Sequence, residues 1–357
     1  MPNTKPSRLT SALFAIIVGA LGGYIFHLLQ LPLPWTLGSL TATAIAATLG
    51  RDWRLPTQFR DVARPCVGFL AGASFSPQVV GALIGSWPEI LYVASYSLLI
   101  TATGFFYFSK ICRYDRTTSF FASTPGGISE LIIIGSQLGG NIQPLVVIHT
   151  VRVVAVVFAV PFGLQFLSHM DLAGASLPAP THAMSQVDWL LLLGCCAGGY
   201  IAASLFKMQG GAVIVAMIAS ALVHATGLTD ILPPYWLVAG VQVVIGSSVG
   251  ARFAGIHWTV VKQPLIHAIL WSVVMLVAAA FIAVVGSTFL DRSFAALLLA
   301  AAPGGLAEMT IVTYALGIDI AFVVTCHVLR VFMVMLVGPS IGKWVSRTGR
   351  QTTEQVS

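Results

Sequence analysis

The sequence predicts an all-α, polytopic membrane protein made of two homologous halves. Hydrophobic residues form 57% of its 357 residues, charged residues form only 8%, and the mean hydropathy is +0.90. This balance lies outside the range of soluble globular domains. Two further observations support the prediction: apolar stretches long enough to span a bilayer recur along the chain, and one unusual polar motif occurs twice.

About ten continuous apolar stretches have the length that a bilayer requires of a helix, roughly 17–25 residues. We predict a transmembrane helix in each of 11–29, 33–50, 62–84, 89–109, 142–166, 188–206, 209–228, 235–253, 264–289 and 319–341. The first follows Lys5 and Arg8 as a signal peptide would, but it is too long for the apolar core of such a peptide and leads directly into the second, so we interpret it as a retained anchor.

The repeated motif has the form Pro-Gly-Gly-x-x-Glu. It runs from Pro125 to Glu130 and again from Pro303 to Glu308, 178 positions later, and each copy is followed at the same distance by His-x-x-Arg-Val. Between 125–156 and 303–334, 13 of 32 positions are identical without a gap. Pro, Gly, Glu, His and Arg are costly inside a membrane, so their presence in both copies indicates a functional or structural requirement.

The duplication divides the chain into a first membrane repeat, 10–170, a linker, 171–187, a second membrane repeat, 188–345, and a tail, 346–357. Outside the motif, Gly68 and Gly72 recur as Gly246 and Gly250. Small residues four positions apart predict close packing between helices, which requires no ligand.

The distribution of Lys and Arg predicts that the two halves have opposite orientations. A cytoplasmic N-terminus places eight basic residues of the first half inside, where short loops collect them: Lys5, Arg8, Arg51, Arg54, Arg60, Lys110, Arg113 and Arg116. If the linker lies outside, only Arg292 of the second half lies outside with it, whereas an inside linker would leave Lys207, Arg252 and Lys262 outside. We therefore expect an odd number of crossings per half, an inverted repeat, and cytoplasmic N- and C-termini.

An odd count requires that the stretches 117–140 and 293–317 are broken or re-entrant helices. Pro lacks an N–H and fixes φ, and glycines permit unusual backbone angles, so the helix should stop before Pro125 and restart after Gly127. Irregular backbone at membrane depth survives only inside protein or beside a water-filled cavity. We expect a cavity at each motif, where the backbone of Gly126, Gly127, Gly304 and Gly305 binds an anionic group at the positive end of a half-helix.

Glu130 and Glu308 lie in the first turn after each predicted break and have two interpretations. Either carboxylate can stabilise the helix N-terminus, or the pair can bind a coupling proton or cation, because loss of water raises the pKa of a buried carboxylate.

His149 and Arg152, like His327 and Arg330, are three positions apart and share one helix face. One interpretation is that each Arg pairs with the Glu of its own motif and fixes the broken helix against the last span. In the other, Arg presents its forked donors to a substrate carboxylate or phosphate while His relays a proton. The two are compatible if substrate displaces the internal partner.

Several chemistries have no signature in the sequence. It contains no phosphate-binding loop, no nucleophile elbow and no paired Cys or His ligand motif, so we predict no catalytic residue, no metal and no cofactor. The five cysteines are scattered through apolar segments and predict no disulfide framework. Nor does any long soluble segment indicate binding to nucleic acid.

The paired Pro-Gly-Gly-x-x-Glu and His-x-x-Arg-Val motifs resemble those of the AbrB-like family, bacterial inner-membrane proteins with a duplicated membrane unit, and the resemblance covers about 10–345. Members are labelled as ammonia monooxygenases or as regulators of gene expression. A copper or iron monooxygenase needs clustered His or carboxylate ligands, and none can be assembled here. The fold is similar, by analogy, to that of cation–proton antiporters and bile-acid transporters.

We therefore hypothesise an inner-membrane secondary transporter for a small anion or metabolite, coupled to protons or cations. Arg152 and Arg330 are its candidate substrate ligands, and Glu130, Glu308, His149 and His327 its candidate coupling residues. The alternatives are a membrane sensor that affects gene expression indirectly and, third, a membrane enzyme. The expected partners are lipid and a small molecule or ion; the oligomeric state stays open, a homo-oligomer included.

The inverted orientation predicts that the linker is extracellular. A Ser176→Cys variant lacking the five native cysteines should react with a membrane-impermeant thiol reagent in intact cells. Labelling only after the membrane is opened would show parallel halves.

Overall fold

The computed structural model describes residues 8–51, 53, 55–126, 128–167, 184–205, 211–230, 232–254 and 258–354. Regular structure in these ranges is helical. The α-helices are α1 Arg8–Leu28, α2 Pro34–Thr48, α3 Thr57–Gly72, α4 Pro77–Gly85, α5 Trp87–Phe106, α6 Arg116–Ser123, α7 Ile128–Gln137, α8 Ile142–Leu167, α9 Gln186–Leu205, α10 Gly211–Ala225, α11 Tyr235–Gly250, α12 Trp258–Gly286, α13 Phe294–Ala301, α14 Leu306–Leu316 and α15 Ile320–Glu354. A π-helical turn, Tyr107–Ile111, extends α5, and a 3₁₀ turn, Ala251–Phe253, extends α11.

Six helical segments in the described ranges are long and apolar enough to cross a membrane, which confirms the class of protein. They are Leu9–Leu28, Trp87–Ile111, Ile142–Gln165, Gln186–Leu205, Tyr235–Phe253 and Lys262–Gly286. The full count of about ten crossings and the inverted orientation stay predictions. One predicted span, 62–84, is wrong as a single helix: α3 ends at Gly72, and a new helix begins at Pro77, which cannot continue the previous one because it lacks the N–H.

The duplication is visible in the helix boundaries. α3 and α11 begin and end 178 positions apart, and so do α6 and α13. The helices that follow the motifs, α7 and α14, and the last helices, α8 and α15, also begin 178 positions apart. The repeat detected at one motif therefore extends through the order of helices.

The chain forms two compact units, and each contains helices from both halves. The first unit comprises 1–81, 161–257 and 310–321, and includes α1–α3 and α9–α11. The second comprises 82–160, 258–309 and 322–357, and includes α5–α7, most of α8, α12, α13 and nearly all of α15. Both Pro-Gly-Gly motifs belong to the second unit.

In the first unit, each half supplies a helix that packs against the other half. α2 contacts α1 and α11, and α10 contacts α9 and α3. Glycines permit these contacts: a Cβ on Gly68 would overlap the Val213 carbonyl oxygen, and one on Gly246 would lie 2.5 Å from that of Thr36. The predicted role of these glycines in close packing is confirmed.

We expect Gly246→Ala to destabilise the protein by about 1–3 kcal/mol, because the new methyl group must push α11 away from α2. Thermal unfolding in detergent measures the effect. Gly240→Ala is the matched control on the same helix, since nothing lies within 4 Å of a Cβ there. Equal unfolding midpoints for the two variants would contradict the packing argument.

Candidate functional site

Both motifs interrupt a helix where the sequence predicts the interruption. α6 ends at Ser123, Thr124 has extended backbone (φ −72°, ψ 122°), and α7 begins at Ile128. In the second half, α13 ends at Ala301 and α14 begins at Leu306. A helix that ends leaves its last carbonyl oxygens without intrahelical partners, and these ends are buried, so other donors must satisfy them.

An arginine on the last helix of each half donates to carbonyl oxygens of the break itself, which follows the helix end. Arg152 donates from Nη1 to the Thr124 carbonyl oxygen at 3.0 Å and from Nη2 to that of Gly126 at 2.7 Å. Arg330 donates to Ala302 and Gly304 in the same way, both at 2.9 Å. All four acceptors correspond across the 178-residue repeat, so one interaction is built twice.

This geometry suits a guanidinium in three ways. Its planar fork donates to two carbonyl oxygens at once. Its positive charge lies at the negative, C-terminal end of a helix, where the helix dipole stabilises it. Its hydrogen bonds offset the free-energy cost of removing the guanidinium from water. Arg152 is 0% exposed and Arg330 is 4% exposed, so the offset is essential. The sequence offers Arg330 the Glu of its own motif as a partner, but its hydrogen bonds go to two backbone carbonyl oxygens and to the side chain of His327.

His327 is held between a backbone carbonyl and Arg330. Its Nε2 lies 2.9 Å from the Leu299 carbonyl oxygen, and its Nδ1 lies 2.6 Å from Nη2 of Arg330. The carbonyl can only accept and the guanidinium can only donate, so Nε2 carries the proton and Nδ1 is the acceptor. The imidazole is therefore neutral in this arrangement. His149, at the equivalent position, is also fully buried.

Glu308 lies in the first turn of α14, half-buried. A Cβ on Gly305 would overlap the Glu308 carboxylate, so this carboxylate folds back over the start of its helix, as a capping residue does. A side chain at position 305 would therefore displace the Glu308 carboxylate from this position. The equivalent Gly127 and the Glu130 side chain lie outside the described residues.

The second unit brings the two motifs together. A Cβ on Gly126 would lie 3.4 Å from Val334 on α15, and one on Gly304 would lie 3.4 Å from Val156 on α8. Each break therefore binds the arginine of its own half and touches the last helix of the other. The guanidinium groups of Arg152 and Arg330 are near enough to repel each other. The Glu308 carboxylate of the second half attracts Arg152 of the first half.

Sequence reasoning located both arginines but not their partners. Those partners are main-chain oxygens of Thr124, Gly126, Ala302 and Gly304, which have no side-chain signature. In both halves the acceptors precede the arginine by 28 and 26 residues. This shared spacing was the sequence signal that could have located them. Among the described residues, no group of three or more His, Cys, Asp or Glu is placed to hold a metal ion.

Sequence comparison relates this chain to a known family. The family described as "Transition state regulatory protein AbrB" matches residues 35–346. The chain belongs to this AbrB family. Among its relatives, "Uncharacterized protein YhjN" of Bacillus subtilis (strain 168) is 26% identical, with 94% of this chain and 93% of the relative aligned. "Putative regulator AbrB" of Escherichia coli (strain K12) is 23% identical, covering 90% of this chain and 92% of the relative.

Replacing Arg330 tests whether its two hydrogen bonds to carbonyl oxygens stabilise the break. We expect Arg330→Lys to lower the free energy of unfolding by about 2–4 kcal/mol, because an ammonium cannot span both carbonyl oxygens and leaves one buried and unsatisfied. Thermal unfolding in detergent reports the change.

The matched control is Arg64→Lys, whose charge lies 3.7 Å from Asp61 in a partly exposed pair and is expected to contribute about 0–1 kcal/mol. If Arg330→Lys lowered the free energy of unfolding no more than this control does, the two hydrogen bonds of Arg330 would not be what stabilises the break.

Proposed function

We propose that this AbrB-family protein is a secondary transporter of the bacterial inner membrane that moves a small anion or metabolite. The observation that carries the proposal is the pair of buried guanidinium groups at two helix breaks within one compact unit. Discontinuous helices from two repeats form the substrate sites of many secondary transporters. Alternating access also requires two bodies, and the chain divides into two compact units.

Substrate binding is assigned to the two breaks. The Nη atoms of Arg152 and Arg330 are engaged with carbonyl oxygens, but in the described part of the chain the Nε–H of each is buried with no hydrogen-bond acceptor. Each guanidinium therefore retains at least its Nε–H donor for an anionic group of the substrate. The backbone N–H groups of Gly126, Gly127 and Gly305 would contribute at the starts of α7 and α14. The Gly304 N–H already donates to the Ala302 carbonyl oxygen at 2.9 Å, so Gly304 would contribute only if that hydrogen bond opened.

Proton coupling is assigned to Glu308 and, by its equivalent position, Glu130. Protonation of Glu308 would remove the negative charge that attracts Arg152 and make the centre more positive, which favours binding of an anion. His327 would accept a proton only after Nδ1 is released by Arg330, so its protonation is tied to rearrangement of the break. We give His149 the same role in the first half.

The coupling ion is better assigned as a proton than as a metal cation. In broken-helix transporters, unwound carbonyl oxygens and half-helix C-termini coordinate the driving cation. Here the guanidinium groups already occupy the corresponding oxygens in both halves. The positive charge at each break is thus supplied by an arginine of the protein itself.

A second candidate is a membrane regulator, favoured by the name of the Escherichia coli relative, "Putative regulator AbrB". It would bind a ligand at the same breaks without moving it, and would pass the signal to a protein partner that co-purifies in detergent.

Removing the Glu308 charge should stop transport. In proteoliposomes tested with a panel of radiolabelled small carboxylates, we expect Glu308→Gln to reduce flux at least about tenfold while the protein stays folded by size exclusion. Glu308→Asp should retain part of the flux, and the exposed Asp291→Asn should retain it all.

Full flux in Glu308→Gln would contradict the coupling role. A folded wild-type protein that moves nothing in the panel, but binds a partner, would favour the regulator.

The proposed use of protons predicts that flux is unchanged when Na⁺ is replaced by choline and is lost when a protonophore collapses the pH gradient. Flux that requires Na⁺ would show that a metal cation still binds at the breaks.

A further inference from the structure

Two cysteines from different halves have their thiols in contact in the first unit. Cys66 lies on α3 and Cys196 on α9, and their Sγ atoms are 3.8 Å apart, without a disulfide between them. At this distance the two sulfur atoms touch, and no other atom separates them. The two helices also pack directly against each other.

The pair is distinct from its neighbour in sequence, Cys195. That side chain is buried with Phe69 and Leu192 in an apolar cluster of the first unit, whereas Cys66 and Cys196 are both half-buried. A disulfide needs its sulfur atoms about 2 Å apart. The observed 3.8 Å contact therefore describes two reduced thiols side by side, and a partly exposed thiol can be reached by a reagent.

We propose that Cys66 and Cys196 form a reversible disulfide site that joins α3 of the first half to α9 of the second. The oxidant is assigned to the lipid-soluble quinone class, because α9 is long and apolar enough to cross the membrane and Cys196 packs against an apolar cluster. In the step, two S–H bonds break and one S–S bond forms. Two protons and two electrons pass to the quinone oxygens, which yields a hydroquinone.

The link would fix the contact between the halves within the first unit and is independent of whether the protein transports anything. A low-molecular-weight thiol reverses it by thiol–disulfide exchange, through a mixed disulfide with one of the two cysteines.

A cleavable chain tests the proposal. A protease site inserted after Ser176 separates the two cysteines in sequence. The full chain in liposomes is treated with a short-chain ubiquinone analogue, cleaved, blocked with a thiol reagent, and run on a denaturing gel without reductant. We expect the two fragments to stay joined after oxidation and to separate on adding reductant.

The variants identify the pair. Cys66→Ser and Cys196→Ser should lose the link, whereas Cys195→Ser, the matched neighbour, should keep it. Mass spectrometry of the oxidised wild type should recover a peptide joining residues 66 and 196, a readout that does not depend on how any variant folds. Separate fragments from oxidised wild type, or a link that persists in Cys196→Ser, would overturn the proposal.

Discussion

The need to satisfy backbone carbonyl oxygens in two buried helix breaks determines most of what is distinctive in this protein. Inside an apolar bundle, the backbone groups of an interrupted helix cannot form hydrogen bonds with water in place of the missing intrahelical ones. Arg152 and Arg330 supply them, each forking to two carbonyl oxygens of its own half. Pro creates each break, and the arginine makes it tolerable, which explains why the two features recur together 178 residues apart.

The same interaction sets the electrostatics of the second unit. Two buried positive charges lie near each other, and the Glu308 carboxylate of one half attracts the arginine of the other. In the proposed function, this positive centre would bind an anionic group of the substrate. Protonation of His327 at Nδ1 would require release of Arg330 from that nitrogen, and would therefore change a hydrogen bond at the second break. An anion transporter driven by protons uses both properties, and the AbrB family name neither requires nor excludes it.

The sequence predicted much of this architecture because its signals are local. Hydropathy identified the membrane class, Pro125 and Pro303 located the breaks, and the repeat anticipated the equivalence of α3 with α11. What it could not predict depends on tertiary packing. The arginine acceptors are main-chain atoms, the two compact units combine helices from both halves, and the contact of Cys66 with Cys196 joins positions 130 residues apart. The span predicted at 62–84 failed because hydropathy ignored the helix start at Pro77.

Chemical rescue tests the arginine fork most directly. Arg330→Ala removes the guanidinium but leaves the Ala302 and Gly304 carbonyl oxygens in place. If the fork is what stabilises the break, low millimolar guanidinium present during purification should raise the unfolding temperature of this variant toward that of wild type. Wild type should not respond, and neither should the variant in the same concentration of NaCl. An unfolding temperature that guanidinium leaves unchanged would contradict the account.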